Sequence, residues 1–127
     1  MAAGRRPRVL VIDDDPGVRQ VVSYLLAEFG FECHTAEDGA SGLGRFDEGG
    51  WDLVVTDLAM PKLNGWQVIE AIRHRTPRTP IVLVTAYMAP EIVRRAGGYG
   101  VPVVAKPFSI AALQAAIAQA LDSKASK

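Results

Sequence analysis

Acidic residues follow two short apolar runs of the sequence. Asp13, Asp14 and Asp15 come directly after four apolar residues in the stretch VLVIDDDPGVRQ, and Asp57 directly follows LVVT. Carboxylates held about 4 Å apart repel one another by roughly 1 kcal/mol per pair in water, and by more inside a protein. A cation relieves that repulsion, and Mg²⁺ prefers hard oxygen ligands of this kind. The aspartates therefore predict a magnesium site if the fold brings them together.

Thr85 and Lys106 hold similar positions in later parts of the chain. Thr85 ends the run IVLVT, and Lys106 follows VPVVA. Beside a metal, a lysine charge and a threonine hydroxyl could bind the oxygens of a phosphoryl group, and one carboxylate could act as a nucleophile. Taken singly, Thr85 is explained as a β-forming residue and Lys106 as a surface residue. The two residues would indicate phosphoryl chemistry only if the fold places both of them beside the aspartates.

The apolar pattern predicts five strands that alternate with five helices. Short runs rich in β-branched residues predict strands at 9–12, 53–56, 81–84 and 101–105, and the alternating apolar and polar residues at 31–35 predict a further strand at an edge of the sheet. Apolar residues three or four apart predict helices around 18–26, 38–48, 64–72, 90–96 and 110–121. Alternating strands and helices favour a parallel sheet covered on both faces, where ligands bind at the carboxyl ends of the strands. The polar residues after strands one, three, four and five would then meet.

The composition predicts one globular domain. The chain has 127 residues, and its 14 Lys and Arg balance 14 Asp and Glu, which excludes bulk attraction to nucleic acid or an anionic membrane. No apolar run approaches the roughly 18 residues that cross a bilayer, and no secretory signal is recognisable, so we expect a cytoplasmic protein. The single cysteine, Cys33, cannot form an internal disulfide. We expect a domain at 8–122 between flexible tails at 1–7 and 123–127.

Other common sites lack support in the sequence. No GxxxxGK[ST] phosphate loop and no GxGxxG dinucleotide motif occurs. His34 and His74 stand apart from each other and from the aspartates, so we expect neither to bind a metal. Asp15 precedes Pro16, which suits the first position of a helix, so Asp15 is predicted to be an N-cap.

Four stretches of the chain resemble the receiver domain of two-component response regulators. They are VLVIDDDPGVR, DLVVTDLAMPKLNGWQVI, PIVLVTAY and VVAKPF, in that order, and the resemblance covers residues 8–122. It implies a flavodoxin-like α/β fold, which is a three-layer sandwich of five parallel strands in the order 2-1-3-4-5 with five helices.

The resemblance also implies a role for each residue at the strand ends. Asp57 would be the phosphoacceptor, taking a phosphoryl group from a phosphohistidine or from a small donor such as acetyl phosphate. Thr85 would hydrogen-bond that group and Lys106 would pair with it, with a cis peptide bond between Lys106 and Pro107. The cofactor would be Mg²⁺ or Mn²⁺, and its ligands would be Asp13, Asp14, Asp57 and the backbone carbonyl of Ala59.

The partners implied by the resemblance are proteins. A sensor histidine kinase or a phosphotransfer protein would supply the phosphoryl group. A downstream target or output domain would bind the face formed by the fourth helix, fifth strand and fifth helix. No direct contact with nucleic acid or membrane is expected, and the chain would be a monomer or a phosphorylation-dependent dimer. It would catalyse only its own phosphorylation and slow dephosphorylation.

The sequence departs from the family at two places. The family usually has Tyr or Phe three residues before its lysine, where this chain has Val103, so the usual coupling between Thr85 and the output face is in question. The segment at 96–102, AGGYGVP, is predicted to shorten or loosen the fourth helix. It forms either a distinct partner surface that includes Tyr99 or an ordinary loop.

Two alternatives to a phosphorylated receiver therefore stay open. One is a pseudo-receiver that binds proteins without phosphorylation, which Val103 allows and the intact acceptor residues oppose. The other is a phosphatase of the haloacid dehalogenase type, which also carries a DxD after its first strand. That family expects Thr or Val at the position where this chain has Gly17.

Overall fold

The computed structural model describes residues 5–125, with side chains as far as Asp122. Its five strands form one parallel sheet in the order β2-β1-β3-β4-β5. The strands are β1 (Arg8–Ile12), β2 (Glu32–Ala36), β3 (Leu53–Asp57), β4 (Ile81–Thr85) and β5 (Val103–Ala105). The helices are α1 (Pro16–Glu28), α2 (Gly39–Phe46), α3 (Gly65–Arg75), α4 (Pro90–Gly98) and α5 (Ile110–Ala125). The predicted flavodoxin-like architecture and strand order are confirmed.

Two apolar cores cover the two faces of the sheet. One face packs against α1 and α5, through residues such as Leu26 and Leu113, and the other against α2, α3 and α4, through residues such as Ile69. Every residue of β3 and β4 is buried, as expected for parallel strands covered on both sides. Strand β2 lies at the edge and is the most exposed of the five, as its alternating sequence predicted.

The register of the strands aligns their carboxyl ends. Ile12 of β1 pairs with Thr56, the residue before Asp57, and Asp57 pairs with Val84. Thr85 pairs with Ala105, the residue before Lys106. The polar residues that end β1, β3, β4 and β5 therefore share one edge of the sheet, which is the arrangement on which the sequence argument depended.

Strands β2 and β5 begin later than the sequence pattern predicted. The amide of Phe31, the predicted first residue of β2, donates to Leu26 O, and the amide of Val101, the predicted first residue of β5, donates to Ala96 O. Both bonds close the hydrogen-bonded turn at the end of the preceding helix, with a glycine of positive φ just before the donor. An amide used in this way is not available to the sheet.

Helices α4 and α5 extend further than predicted. Helix α4 continues for two residues beyond Ala96, through Gly97 and Gly98, so the glycines do not shorten it. Helix α5 continues to Ala125, three residues into the segment 123–127 that was expected to be a tail. The rest of that segment, and the first four residues of the N-terminal tail, lie outside the described residues. No helix in the described range 5–125 is long and apolar enough to span a membrane.

Candidate functional site

The three consecutive aspartates have three different environments. Asp15 is the N-cap of α1, because its Oδ1 accepts hydrogen bonds from the amides of Gly17 at 2.8 Å and Val18 at 3.3 Å. Asp13 is buried, and its Oδ1 accepts a bond of 2.9 Å from the Asp15 amide. Asp14 is exposed at the rim. The N-cap prediction for Asp15 is confirmed, which leaves the other two carboxylates for a site.

Lys106 joins the ends of β1, β3 and β5. Its Nζ donates to Asp13 Oδ2 at 3.1 Å and to Asp57 Oδ1 at 3.1 Å. Asp57 is only 7% exposed, and its Oδ1 also accepts a bond from the Leu58 amide at 2.9 Å. The peptide bond between Lys106 and Pro107 is cis, as the family resemblance implied. Asp13 and Asp57 are 44 positions apart in the chain, and Asp57 and Lys106 are 49 apart. The fold thus brings distant residues into one ionic cluster.

The donor set at this cluster fits a magnesium ion. One carboxylate oxygen each from Asp13, Asp14 and Asp57 lies within 4.8 Å of the others, and no other such group occurs among the described residues. When all three are ionised, the single charge of Lys106 leaves an excess of two negative charges. Oxygen-only ligands with uncompensated charge are what Mg²⁺ and Mn²⁺ prefer. Ala59, whose carbonyl was predicted as a further ligand, lies exposed two residues after Asp57.

The charges of the cluster shift one another's protonation. Burial raises the pKa of the Asp57 carboxyl and the charge of Asp13 raises it further, while Lys106 and the Leu58 amide oppose the rise. Burial lowers the pKa of the Lys106 ammonium, but the carboxylates of Asp13 and Asp57 outweigh that effect and hold the pKa above its ordinary value. Lys106 is therefore charged. Ionisation of Asp57 is unfavourable in this buried site, and an added cation would make it less so.

Thr85 borders the cluster from β4. It is buried, its Oγ1 accepts a hydrogen bond of 3.0 Å from the Tyr87 amide, and its carbonyl accepts one of 2.8 Å from the Lys106 amide. The hydroxyl proton of Thr85 is not used in the Tyr87 bond, so it is free to be donated. The structure therefore brings Thr85 next to Lys106, as the strand register requires.

Arg19 and Gly65 support the site, although neither was predicted from the sequence to take part in it. The guanidinium of Arg19 donates to the backbone carbonyl of Asp13 at 2.7 Å. Gly65 packs so closely on β3 that a Cβ there would overlap the carbonyl oxygen of Asp57. The sequence indicated only that a helix starts near residue 64. Both supporting contacts are made to backbone atoms, which side-chain patterns do not reveal.

Neither histidine takes part in the cluster. His34 lies on β2, where its ring contacts Glu32 at 2.7 Å and Arg45 at 3.0 Å. His74 is exposed near the end of α3. That neither histidine binds a metal stays a prediction.

Comparison with curated proteins identifies related regulators. The regulatory protein AtoC of Escherichia coli is 34% identical over 121 residues, which cover 94% of this chain and 26% of AtoC. The probable transcriptional regulatory protein TcrX of Mycobacterium tuberculosis is 37% identical over 111 residues, which cover 86% of this chain and 47% of TcrX. The chain therefore spans about a quarter to a half of the length of these relatives.

Solved structures share the fold closely. A response regulator receiver domain protein from Clostridium thermocellum is 31% identical, with a TM-score of 0.86 and coverage of 94% of this chain and 97% of that one. The response regulator TrrA from Thermotoga maritima, solved in complex with Mg²⁺-BeF, is 33% identical, with a TM-score of 0.82 and coverage of 91% and 99%. The family model of the response regulator receiver domain matches residues 9–118. The chain belongs to this family, and it is a receiver domain of two-component response regulators.

Proposed function

We propose that Asp57 accepts a phosphoryl group from the phosphohistidine of a sensor kinase or phosphotransfer protein, in a reaction that depends on Mg²⁺ or Mn²⁺. The observation that carries the proposal is the cluster itself, in which Lys106 bridges Asp13 and Asp57 while Asp14 lies beside them. Its excess negative charge calls for a cation, and its lysine is placed to pair with an added anionic group. The chemistry modifies the protein itself and turns over no other substrate.

Each residue of the cluster would have a separate role in the phosphoryl transfer. One carboxylate oxygen of Asp57 attacks phosphorus, so an oxygen–phosphorus bond forms while the donor's nitrogen–phosphorus bond breaks and its electron pair returns to the imidazole. Lys106 neutralises charge on the phosphoryl oxygens, and the Thr85 hydroxyl donates a hydrogen bond to one of them. Asp13, Asp14, Asp57 and the carbonyl of Ala59 would hold the metal, which supplies positive charge to the phosphoryl oxygens.

An apolar groove borders the cluster and suits a docked donor protein. It has a volume of about 900 Å³ and lies between α1 and the start of α5, with Lys106 at its rim. Its apolar lining includes Val18, Val21, Phe108 and Ile110. Because a phosphohistidine must reach Asp57 from outside, a helix of the donor seated in this groove is the expected arrangement.

Phosphorylation would change the surface around α4, β5 and α5. The phosphoryl group adds about 1.5 to 2 negative charges, which draw Thr85 and Lys106 toward Asp57. Tyr87, Met88 and Val93 are exposed apolar residues at and before α4, so a shift there changes what a partner contacts. The partner would be a target protein or output domain, and a phosphorylation-dependent dimer is the alternative to a monomer. A cytoplasmic location fits a reaction that needs a kinase and free Mg²⁺.

Intact mass measurement tests the proposal. The protein is incubated with Mg²⁺ and acetyl phosphate, and a gain of one phosphoryl mass is expected that is absent in Asp57→Asn and after chelation of the metal. Asp122→Asn, at an exposed aspartate of α5, is the matched control and should accept the group normally. Absence of an adduct with any phosphohistidine or small-molecule donor would establish a pseudo-receiver, and turnover of a phosphomonoester without an adduct would establish a phosphatase.

A further inference from the structure

A network of side chains joins the end of α4 to α3. The guanidinium of Arg95 lies over the indole of Trp66, 4.4 Å from the ring centroid. The hydroxyl of Tyr99 donates a bond of 2.6 Å to Glu70 Oε2, and Arg95 Nη2 lies 3.4 Å from the same oxygen. Arg73 Nε donates to the carbonyl of Tyr99 at 2.9 Å. These five residues are called the α3–α4 clamp.

The members of the clamp are matched in spacing and in charge. Trp66, Glu70 and Arg73 are four and three residues apart on α3, and Arg95 and Tyr99 are four apart, so each set lies along one side of its segment. The hydrogen bond from Tyr99 lowers the pKa of Glu70, and the same bond raises the pKa of Tyr99. The carboxylate thus stays ionised and the phenol stays a donor, which is the stronger, charge-assisted kind of hydrogen bond.

Helix α4 has few other contacts to fix its position. It has nine residues, fewer than an isolated helix needs for stability in water, and only Ala96 among them is buried. Its N-cap, Ala89, has no side-chain hydrogen bond to the first turn. Gly97 and Gly98 in the last turn each cost up to about 1 kcal/mol relative to alanine. The clamp therefore adds to the packing of Ala96 and Ile92 against the core in holding α4 in place.

The opposite end of α4 is connected to the phosphoacceptor site. The amide of Tyr87, three residues before α4 begins, donates to the Thr85 hydroxyl oxygen at 3.0 Å. When Thr85 moves toward a phosphoryl group on Asp57, the segment that carries this amide follows, and the first turn of α4 is drawn toward the site. The clamp holds the last turn, so it resists that displacement. Val103 leaves no aromatic ring in β5 to take up the movement instead.

We propose that the α3–α4 clamp holds α4 in its unmodified position and opposes the rearrangement that a phosphoryl group at Asp57 produces, a proposal that rests on the function proposed above. Binding and rearrangement are linked reciprocally. Weakening the clamp must therefore tighten the binding of a phosphoryl mimic at Asp57, although no clamp residue lies in the site.

Tyr99→Phe tests this with minimal disturbance, because it removes the hydroxyl and keeps the ring. Tyr24→Phe, at an exposed tyrosine of α1, is the matched control. In the unmodified protein, hydrogen exchange of the α4 amides at 94–98 should become about fivefold faster in Tyr99→Phe, the factor expected for one hydrogen bond. Beryllofluoride with Mg²⁺, the additive named for the T. maritima relative, should bind about fivefold more tightly.

Glu70→Ala is an independent test, because it removes the acceptor that Tyr99 and Arg95 share. Its control is Glu28→Ala, at the exposed end of α1. It should act in the same direction as Tyr99→Phe. Unchanged α4 exchange and unchanged beryllofluoride affinity in both variants, or weaker beryllofluoride binding, would overturn the proposal. If the wild-type protein binds neither beryllofluoride nor a phosphoryl group, the proposed function fails, whereas the exchange experiment still decides whether the clamp holds α4.

Discussion

The charge of Asp57 is unfavourable for the folded protein at neutral pH. Burial and the nearby charge of Asp13 raise the pKa of its carboxyl above the unfolded value, although Lys106 opposes the rise. A carboxyl with a raised pKa in the folded state contributes stability below its unfolded pKa and loses that contribution as pH rises through the folded pKa. At pH 7 the ionised Asp57 therefore reduces the free energy of unfolding, which is consistent with the proposed role of this residue as phosphoacceptor.

Asp57→Asn should accordingly stabilise the protein in metal-free buffer. The amide oxygen can still accept from Lys106, while the repulsion with Asp13 disappears, a gain of about 1 kcal/mol that corresponds to roughly 3 to 5 °C in Tm. Thermal unfolding followed by circular dichroism with a chelator present measures the effect. The advantage should shrink as the pH falls through the raised pKa, because Asp57 then becomes neutral as well. A lower Tm for Asp57→Asn at pH 7 would contradict this account.

The central residues of the site were predictable from the sequence, whereas the residues that contact their backbone atoms, Arg19 and Gly65, were not. Asp13, Asp57 and Lys106 were expected to meet because each follows a buried strand of a parallel sheet, and the structure places them in contact. Arg19 and Gly65 act on backbone atoms of the aspartates. Contacts of that kind depend on the packing of helices against strand ends, so no spacing in the sequence specifies them.

At the scale of elements, two adjacent aspartates at the start of α1 have different predicted roles. Asp15 caps the helix, and Asp14 is a candidate metal ligand. Asp15→Ala removes the acceptor for the Gly17 and Val18 amides and should cost about 1 kcal/mol in the free energy of unfolding. Asp14→Asn removes an exposed carboxylate and should weaken Mg²⁺ binding with little effect on stability. Urea unfolding without metal and calorimetric titration with Mg²⁺ measure the two properties on both variants. If Asp15→Ala loses Mg²⁺ affinity as strongly as Asp14→Asn, the division of roles is wrong.

Two of the three glycines of helix α2, Gly42 and Gly44, have opposite packing environments. The helix faces β1 at Gly42, where an added Cβ would come within 2.5 Å of the Ile12 side chain, whereas a Cβ at Gly44 would meet nothing within 4 Å. Gly44→Ala should raise the free energy of unfolding by up to about 1 kcal/mol through helix propensity. Gly42→Ala should lower it by about 1 to 3 kcal/mol through overpacking. Urea unfolding of the pair checks both signs, and an equal effect of the two would show that the close approach at Gly42 is relieved without cost.

The ends of elements follow from local capping more than from hydrophobic pattern. The N-cap Asp15 was predicted because its residue type suits that position and Pro16 follows it, whereas for Asn64, the N-cap of α3, only the start of a helix near residue 64 was predicted. The late starts of β2 and β5 were missed, because Phe31 and Val101 are apolar residues that fit a strand pattern. Gly30 and Gly100 carry the relevant signal, since each has a positive φ just before the misassigned residue. A glycine before an apolar run therefore indicates a helix cap that delays the strand.

At the scale of the whole molecule, sheet topology was predictable and the attachment of α4 was not. Alternating strands and helices dictate the parallel order, and both faces of the sheet are filled by apolar residues with clear periodicity. The α3–α4 clamp instead links polar and aromatic residues that are 25 to 29 positions apart on two helices. Their partnership depends on how α3 and α4 sit against the same face of the sheet, which pattern alone does not determine.

Binding of Mg²⁺ should stabilise the whole domain, because an ion at the proposed site would offset the repulsion between carboxylates at the ends of β1 and β3. An ion that binds only the folded state adds about 1.4 kcal/mol to the free energy of unfolding when its concentration is ten times the dissociation constant. Urea unfolding at increasing MgCl₂, against NaCl of equal ionic strength, measures the gain.

Asp13→Asn should lose most of that gain, since it removes a buried carboxylate that is proposed to bind the metal, while its amide oxygen can still accept from Lys106. The Asp122→Asn variant, altered at an exposed position of α5, should keep the gain in full. A magnesium effect of equal size in wild type, Asp13→Asn and the NaCl series would mean that the ion acts by general screening of surface charge. In that case the acidic cluster would not be its binding site, and the excess charge around Asp57 would have to be balanced by Lys106 alone.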